Sequence, residues 1–393
     1  MSADADLLLP EGARLVHIGP FKTGSTAIQQ ALCDTRPRLV EHGVLYPGNG
    51  RRQMRPGWAV LQRSPRARST PPIREWQVLL EEIEAFGPGR VCLSTEDFGS
   101  AGPEQAQRIV DDLGGSRVHV VAVTRRFDRL LPSYWQERVK SYDRRTYDQW
   151  LRAVLEGAPD DNAYRSFWAS HDLAAMLSRW LPAVGPDRFH LIVGDETDRE
   201  LLQRTFEAML GLPDGLLRAD AGPAPSNPSL TLGGTELVRR FNELFVEHDW
   251  PDRIYHQLMQ RGAIRAMAAA PRSPHDLPIP QLPAWARERV DELGRKRLAT
   301  IESSGISIVG DPASLVAGDS DVPAGDAATM PETVPLELAA RALEGAIGGA
   351  LELRAGRPQR QPVSPTLDEA TGRELLHALL ARVRRRLARQ DEP

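Results

Sequence analysis

Short, almost continuous apolar runs alternate with amphipathic stretches over the first half of the chain. RLVHIG (14–19), GVLYP (43–47), RVCLS (90–94), RVHVVAVT (117–124) and RFHLIVG (188–194) are bounded by glycine, proline or charge, and each reads as a strand. Between them apolar residues recur at helical spacing: from Thr26, over Ile73 to Phe86, over Pro103 to Leu113, and from about Asp128. Runs apolar on both faces, such as VHVVAV, belong at the centre of a sheet covered on both sides. Strand and helix in alternation are the pattern of βαβ units. The expectation is an α/β fold, a P-loop-type three-layer sandwich with a central parallel sheet. Further helical patterns follow at about 198–210 and 231–248, and the Pro/Ser/Asn punctuation at 222–228 reads as a surface loop between them.

Past residue 316 the pattern changes. VAGDSDVPAGDAATMPE (316–332) has no Lys, no Arg and no periodicity, which is the composition of a linker. The expected organisation is a main domain over 14–316, a linker over 317–332 and a helical extension over 333–393. The extension carries two helical patterns, about 336–354 and 367–390. In the second, Leu375, Leu379, Val383 and Leu387 recur every four residues while Arg382, Arg384, Arg385, Arg386 and Arg389 crowd the last turns. A basic amphipathic helix suits a membrane surface or a partner, although packing on its own domain or on a dimer mate is commoner. A homodimer or partner contact through these helices is the expectation.

Charge and cysteine narrow the classes. With 49 basic against 53 acidic side chains in 393 residues, net −4, no field favours nucleic acid, so an anionic ligand needs a local site. Cys33 and Cys92 are too few for a disulfide framework or a structural zinc site, and both read as reduced, half-buried small hydrophobes. The first residues, MSADADLLLPEGAR, are acidic where a signal peptide is basic, and no stretch approaches the ~20 apolar residues of a membrane span. A soluble, cytoplasmic protein is expected.

The chemistry concentrates at Gly19-Pro20-Phe21-Lys22-Thr23-Gly24-Ser25-Thr26, which follows a strand and opens a helix. Backbone amides and a helix N-terminus there form an anion site. The two glycines have the spacing of the nucleotide-hydrolase loop G-x-x-x-x-G-K-[ST], but Ser25 follows Gly24 and the lysine lies inside the loop. A lysine after the second glycine reaches β- and γ-phosphates. Lys22 would instead reach the oxygen joining a 5′-phosphate to its leaving partner. A plain strand-to-helix turn would also use two glycines. Further on, RVHVVAVT ends at Arg125, and Ser133 lies eight residues beyond, inside the following helix. A guanidinium gives a bidentate contact and a hydroxyl a directional one, so the pair suits a second phosphate, with Arg126 competing for the role of Arg125.

Lys-Thr-Gly-Ser-Thr after a strand resembles the 5′-phosphosulfate loop of the sulfotransferases, usually Pro-Lys-[ST]-Gly-[ST]-[ST]. Phe21 separates Pro20 from Lys22, as in bacterial members carrying H-I-G-x-x-K-T-G-[ST]-T. SYWQERVKS, HGVLYPG, His171-Asp172, NPSLTLGGTELVRRFN and GISIVGD look like segments of an actinobacterial sulfotransferase-like group, so the resemblance covers roughly 14–316. It implies 3′-phosphoadenosine 5′-phosphosulfate as co-substrate. Lys22, Thr23, Gly24, Ser25 and Thr26 would then hold the 5′-phosphosulfate, and Arg125 and Ser133 match the family's 3′-phosphate pair. The glycine-rich Arg-Lys-Gly segment that closes over the 3′-phosphate in animal cytosolic members is not recognisable.

Sulfuryl transfer parallels phosphoryl transfer, with a loose, in-line transition state and charge building on the leaving oxygen. Sulfate carries less charge than phosphate, so this logic requires no metal, and Lys22 stabilises the leaving phosphate. Glu96, directly after RVCLST at the edge where open sheets place ligands, is the candidate base; the family uses a Glu or a His there. Either Glu96 or Asp97 would also serve as a turn cap. His17 and His119 sit mid-strand and read as structural, and His171-Asp172 as a helix-starting polar cluster. Lys140 shares a helix face with Ser133, placing it at the sulfate or acceptor, or in a salt bridge with a neighbouring carboxylate. Arg51, Arg52, Arg55, Arg63, Arg66 and Arg68 gather with Trp58 in a long loop over 48–72, where the charge suits an acidic small-molecule, glycan or carrier-bound acceptor and equally a solvated surface loop. The other classes are a P-loop nucleotide kinase, which lacks a lysine after Gly24 and an apolar strand ending in Asp, and a catalytically silent binding protein on the same fold.

Overall fold

The computed structural model describes residues 7–63, 69–218, 229–272, 276–277, 279–316 and 330–355. The loop at 222–228, Arg66, Arg68, most of the 317–332 linker, and the 367–390 pattern with its arginines lie outside the described residues. Six parallel strands form one sheet: β1 (Arg14–His17), β2 (Val44–Leu45), β3 (Arg90–Ser94), β4 (Val118–Thr124), β5 (Phe189–Val193) and β6 (Ser307–Val309). Their order is β2-β3-β1-β4-β5-β6.

The alternation of side chains along each strand decides which layer each feeds. Leu15, Val121, Val123 and Ile192 join Ile28, Leu32, Phe206 and Met209 on one face. Val16, Val120, Ala122 and Leu191 join Trp76, Ile109, Leu177 and Trp180 on the other. The first face is covered by helices α1 (Ser25–Asp34), α2 (Arg36–Glu41) and later α10, and the second by α4, α5 and α9. In chain order these are followed or separated by α3 (Met54–Leu61), α4 (Arg74–Phe86), α5 (Pro103–Asp112), α6 (Phe127–Lys140), α7 (Tyr147–Leu155), α8 (Asn162–His171), α9 (Leu173–Val184) and α10 (Leu201–Leu210). A second core is built by α6, α7 and α8 with α11 (Leu232–Glu247), the short α12 (Asp252–Ile254), π-helical turns over Tyr255–Ala263, α13 (Ile264–Ala269) and α14 (Ala284–Ser304). It is rich in rings, with Trp135, Trp150, Phe167 and Tyr255 fully buried.

The helical pattern at 336–354 is realised as α15 (Leu336–Ala355), which lies directly on the π-helical turns. Gly262 and Gly345 face each other so closely that a Cβ on either would collide with the other's carbonyl, so the two backbones set the spacing. Leu338 is buried in the second core, while Leu336, Leu343, Ile347 and Leu351 stay exposed. No helix of the described residues is long and apolar enough to cross a membrane.

Two expectations change. Residues 48–72 are not one long loop, because Met54–Leu61 forms α3 and Trp58 is buried against the body. Within that segment Arg55 pairs with Glu75, and Arg63 donates to Ser100. Cys92 is fully rather than half buried, since it sits mid-strand facing the first core. GISIVGD, which carried no strand reading, contributes the three-residue edge strand β6.

Candidate active site

Strand β1 lies between β3 and β4; the chain leaves β1 towards β2 on the β3 side, and leaves the adjacent β4 towards β5 on the other side. The crevice at the C-terminal end of β1 is the topological switch point where open parallel sheets bind ligands. Residues 18–26 fill that position. The Val123 amide donates to the Gly19 carbonyl at 2.7 Å, and the Thr95 amide to the His17 carbonyl at 3.0 Å, which ties the loop to both neighbouring strands. Gly19 has φ +83° and Gly24 φ +100°. A Cβ on Gly19 would stand 2.9 Å from the Glu96 Cβ, so glycine is required by both conformation and space.

Gly24 is the N-cap of α1, and the helix has neither a side-chain cap nor an acidic residue in its first turn. Its first amides are therefore left without a resident acceptor side chain, an arrangement able to receive an anion. The Thr23 hydroxyl donates to the Pro20 carbonyl at 2.7 Å and the Ser25 hydroxyl to the same carbonyl at 3.4 Å. Both hydroxyls thus shape the loop in this state rather than point away from it.

Lys22 has φ +67°, one of four non-glycine residues in the left-handed region among those described. Such a conformation costs a β-carbon-bearing residue about 1–2 kcal/mol, and strain of this kind gathers at functional sites. Its Nζ reaches across to α6 and pairs with Glu137 Oε2 at 2.8 Å; Lys140 Nζ stands 3.7 Å from the same oxygen. Burial pushes the Glu137 carboxyl up, but Lys22 and then Lys140 outweigh it and hold the group below the usual carboxylate range. Burial is likewise the main influence that lowers Lys140.

Glu96 is 5% exposed at the start of the 3₁₀ turn Glu96–Ser100, and its carboxylate is committed to Arg52. Burial again pushes the carboxyl up, while Arg52, the local backbone amide and Gln29 bring it below its ordinary value. Thr95 Oγ1, not Glu96, ties down Asp97. Next door, His17 Nδ1 lies 2.7 Å from Ser94 Oγ, and burial drives its pKa down to about 4, so it is the neutral core histidine that its mid-strand place suggests. His119 stacks on His190 across β4 and β5, 3.1 Å between ring nitrogens, away from the loop.

Arg125 reaches the loop, its Nη1 3.5 Å from the Lys22 carbonyl, and pairs with Glu196 at 2.5 Å. Arg126 is turned to Asp128 at 3.0 Å, which separates the two arginines. Ser133 lies half-buried on α6, one turn before Glu137 and thus on the helix face that carries the Lys22 partner. Of the expected helix-starting pair, Asp172 caps α9 by accepting from the Ala175 amide at 3.0 Å, whereas His171 ends α8 and is buried against Phe167 and Tyr134.

No protein-family model, curated protein or solved structure matches this chain. The geometry therefore carries the functional reading. Besides the loop region there is a cleft of about 1560 Å³, lined by Arg52, Trp58, Arg138, Tyr142, Arg144 and Arg253 among others. Arg52 belongs to both, since it holds Glu96 and lines the cleft.

Two partners escape the sequence pattern. Arg297, on α14, donates to the Arg125 carbonyl at 2.9 Å and to Thr124 Oγ1, and lies 4.1 Å from the Phe127 ring centroid. Burial lowers its pKa to about 9. It fixes the turn from β4 into α6 from 172 positions away, and within RKR at 295–297 nothing marks it from its solvated neighbours. Glu137 sits between Ser133 and Lys140, and only the fold of α6 over the loop selects it.

Proposed function

We propose that this chain is a sulfotransferase with a P-loop-type phosphate site, moving a sulfuryl group from 3′-phosphoadenosine 5′-phosphosulfate to a hydroxyl or amine. The observation that carries the reading is Lys22: a strained lysine inside the loop, ahead of a helix N-terminus without a side-chain cap. Its position suits the bridging oxygen of a phosphosulfate rather than the β- and γ-phosphates that a lysine after Gly24 would serve.

In this reading the amides of residues 23–26 hold the 5′-phosphate, with Thr23 and Ser25 keeping the loop in shape. Arg125 and Ser133 hold the 3′-phosphate. Lys22 meets the charge that develops on the leaving oxygen, a role in which loss of a single donor costs on the order of 10²–10³ in turnover. Glu96 is the carboxylate expected as base, and the arginine-lined cleft receives the acceptor. The C-terminal helices supply a partner surface.

Calorimetry with adenosine 3′,5′-bisphosphate, and ATP as control, tests the assignment. Micromolar binding of the bisphosphate with much weaker ATP binding is expected. Preference for ATP would move the chain to the P-loop kinases, and bisphosphate binding without any sulfuryl transfer would make it a silent binding protein.

A further inference from the structure

Glu96 is a poor proton acceptor as it stands. It is almost completely buried, it packs against Gly19, and its carboxylate is occupied by Arg52. Glu137 differs in exposure and in the kind of partner, since its carboxylate is paired with a lysine of the loop rather than with Arg52. Its side chain is 44% exposed, it touches the lysine expected at the reacting oxygen, and its helix continues into Arg138 and Ser141 at the cleft wall.

Resting on the sulfotransferase reading, we infer that Glu137 accepts the acceptor's proton and that it becomes free to do so only when Lys22 leaves it for the donor. Lys22 and Glu137 neutralise each other in the ion pair described above. Lys22 then exchanges this carboxylate for the bridging oxygen of the phosphosulfate. The freed Glu137 takes the proton of the acceptor O–H or N–H as that atom bonds to sulfur. The bond from sulfur to the bridging oxygen breaks, its electron pair stays on the 5′-phosphate, and Lys22 meets that charge. The products are the sulfated acceptor and adenosine 3′,5′-bisphosphate, with the proton on Glu137.

The charged groups facing Glu137 are Lys22 from the loop and Lys140 and Arg138 from its own helix, with the Tyr134 phenol nearby. Departure of Lys22 removes the largest of the influences that hold the carboxyl down, so Glu137 becomes more basic as the donor arrives. Lys140, 3.7 Å away, keeps the group from being left without a counter-charge.

The exchange makes Glu137 a competitor of the donor for Lys22, which binding can measure without knowing the acceptor. Exposed ion pairs are modest, so Glu137→Gln should bind adenosine 3′,5′-bisphosphate roughly 2–5-fold tighter than wild type. In a Lys22→Ala background the same substitution should bring no gain, since the contested cation is gone. Binding at pH 5 in buffers of different ionisation enthalpy should show more proton uptake by wild type than by Glu137→Gln. The inference is overturned if Glu137→Gln leaves affinity unchanged or weaker, if the gain persists without Lys22, or if proton uptake is equal in the two proteins. Failure of wild type to bind the bisphosphate at all is a different result, and it strikes the sulfotransferase reading itself.

Discussion

Substituting Gly19 by alanine tests how the site is built. The residue has φ +83°, and an added Cβ would lie 2.9 Å from the Glu96 Cβ and 3.0 Å from its Cα. The first penalty is conformational, about 1–2 kcal/mol for a residue with a Cβ in the left-handed region. The second is steric. Glu96 is anchored at the end of β3 and by Arg52, so it cannot swing aside as a flexible side-chain tip would. Overpacking of this sort costs about 1–3 kcal/mol. The sum of about 2–5 kcal/mol corresponds to a melting temperature lower by about 4–10 °C at roughly 2 °C per kcal/mol for a large chain. Relief comes from moving the loop away from β3, which misaligns the amides of residues 23–26. Losing one charge-assisted hydrogen bond to a phosphate is about 1.5–3 kcal/mol, so adenosine 3′,5′-bisphosphate should bind at least roughly tenfold more weakly. Differential scanning fluorimetry and calorimetry on the same preparation read both effects. Wild-type melting together with wild-type affinity would refute the claim that Glu96 clamps the loop through Gly19.

Other outcomes follow from the same geometry. If Arg125 holds the 3′-phosphate as proposed, Arg125→Ala should weaken bisphosphate binding by about tenfold or more while leaving affinity for adenosine 5′-monophosphate nearly unchanged; equal losses for both nucleotides would remove Arg125 from that role. Acid should destabilise the fold through its buried histidines. His17, His171 and His190 have pKa values lowered by burial to about 4, 3 and 4, so the unfolded chain takes up their protons first. Their contribution is complete above pH 6.5 and is lost as pH falls from 6.5 towards 4, by about 2 kcal/mol each at pH 5. Three such losses approach the whole stability of an ordinary domain. Urea titrations at pH 7 and pH 5 should differ accordingly, and an unchanged midpoint would contradict neutral burial. The depressed carboxyls Glu96 and Glu137 act only below their ordinary range near 4.5, so their window is separate.

The parts of this molecule that repeat over a few residues were legible in the chain. RLVHIG, RVCLS, RVHVVAVT and RFHLIVG are strands, and the apolar spacing from Asp128 is α6, because burial on both sheet faces or along one helix stripe imposes a period on neighbouring positions. The loop at Gly19–Thr26 was equally visible, since the need for positive φ at a strand-to-helix turn selects glycine locally. Nothing local marks the long-range contacts around the loop. Arg52 meets Glu96 across 44 positions, Lys22 meets Glu137 because α6 passes over the loop, and Arg297 supports Arg125 across 172. Each is a charged residue whose own surroundings in sequence are those of a solvated surface. Their partners are set by strand order and by the path of the helices, so only the tertiary structure separates a committed Glu96 from a reachable Glu137. The sequence determined where a glycine loop turns into a helix, and the fold decided which carboxylate stands beside it.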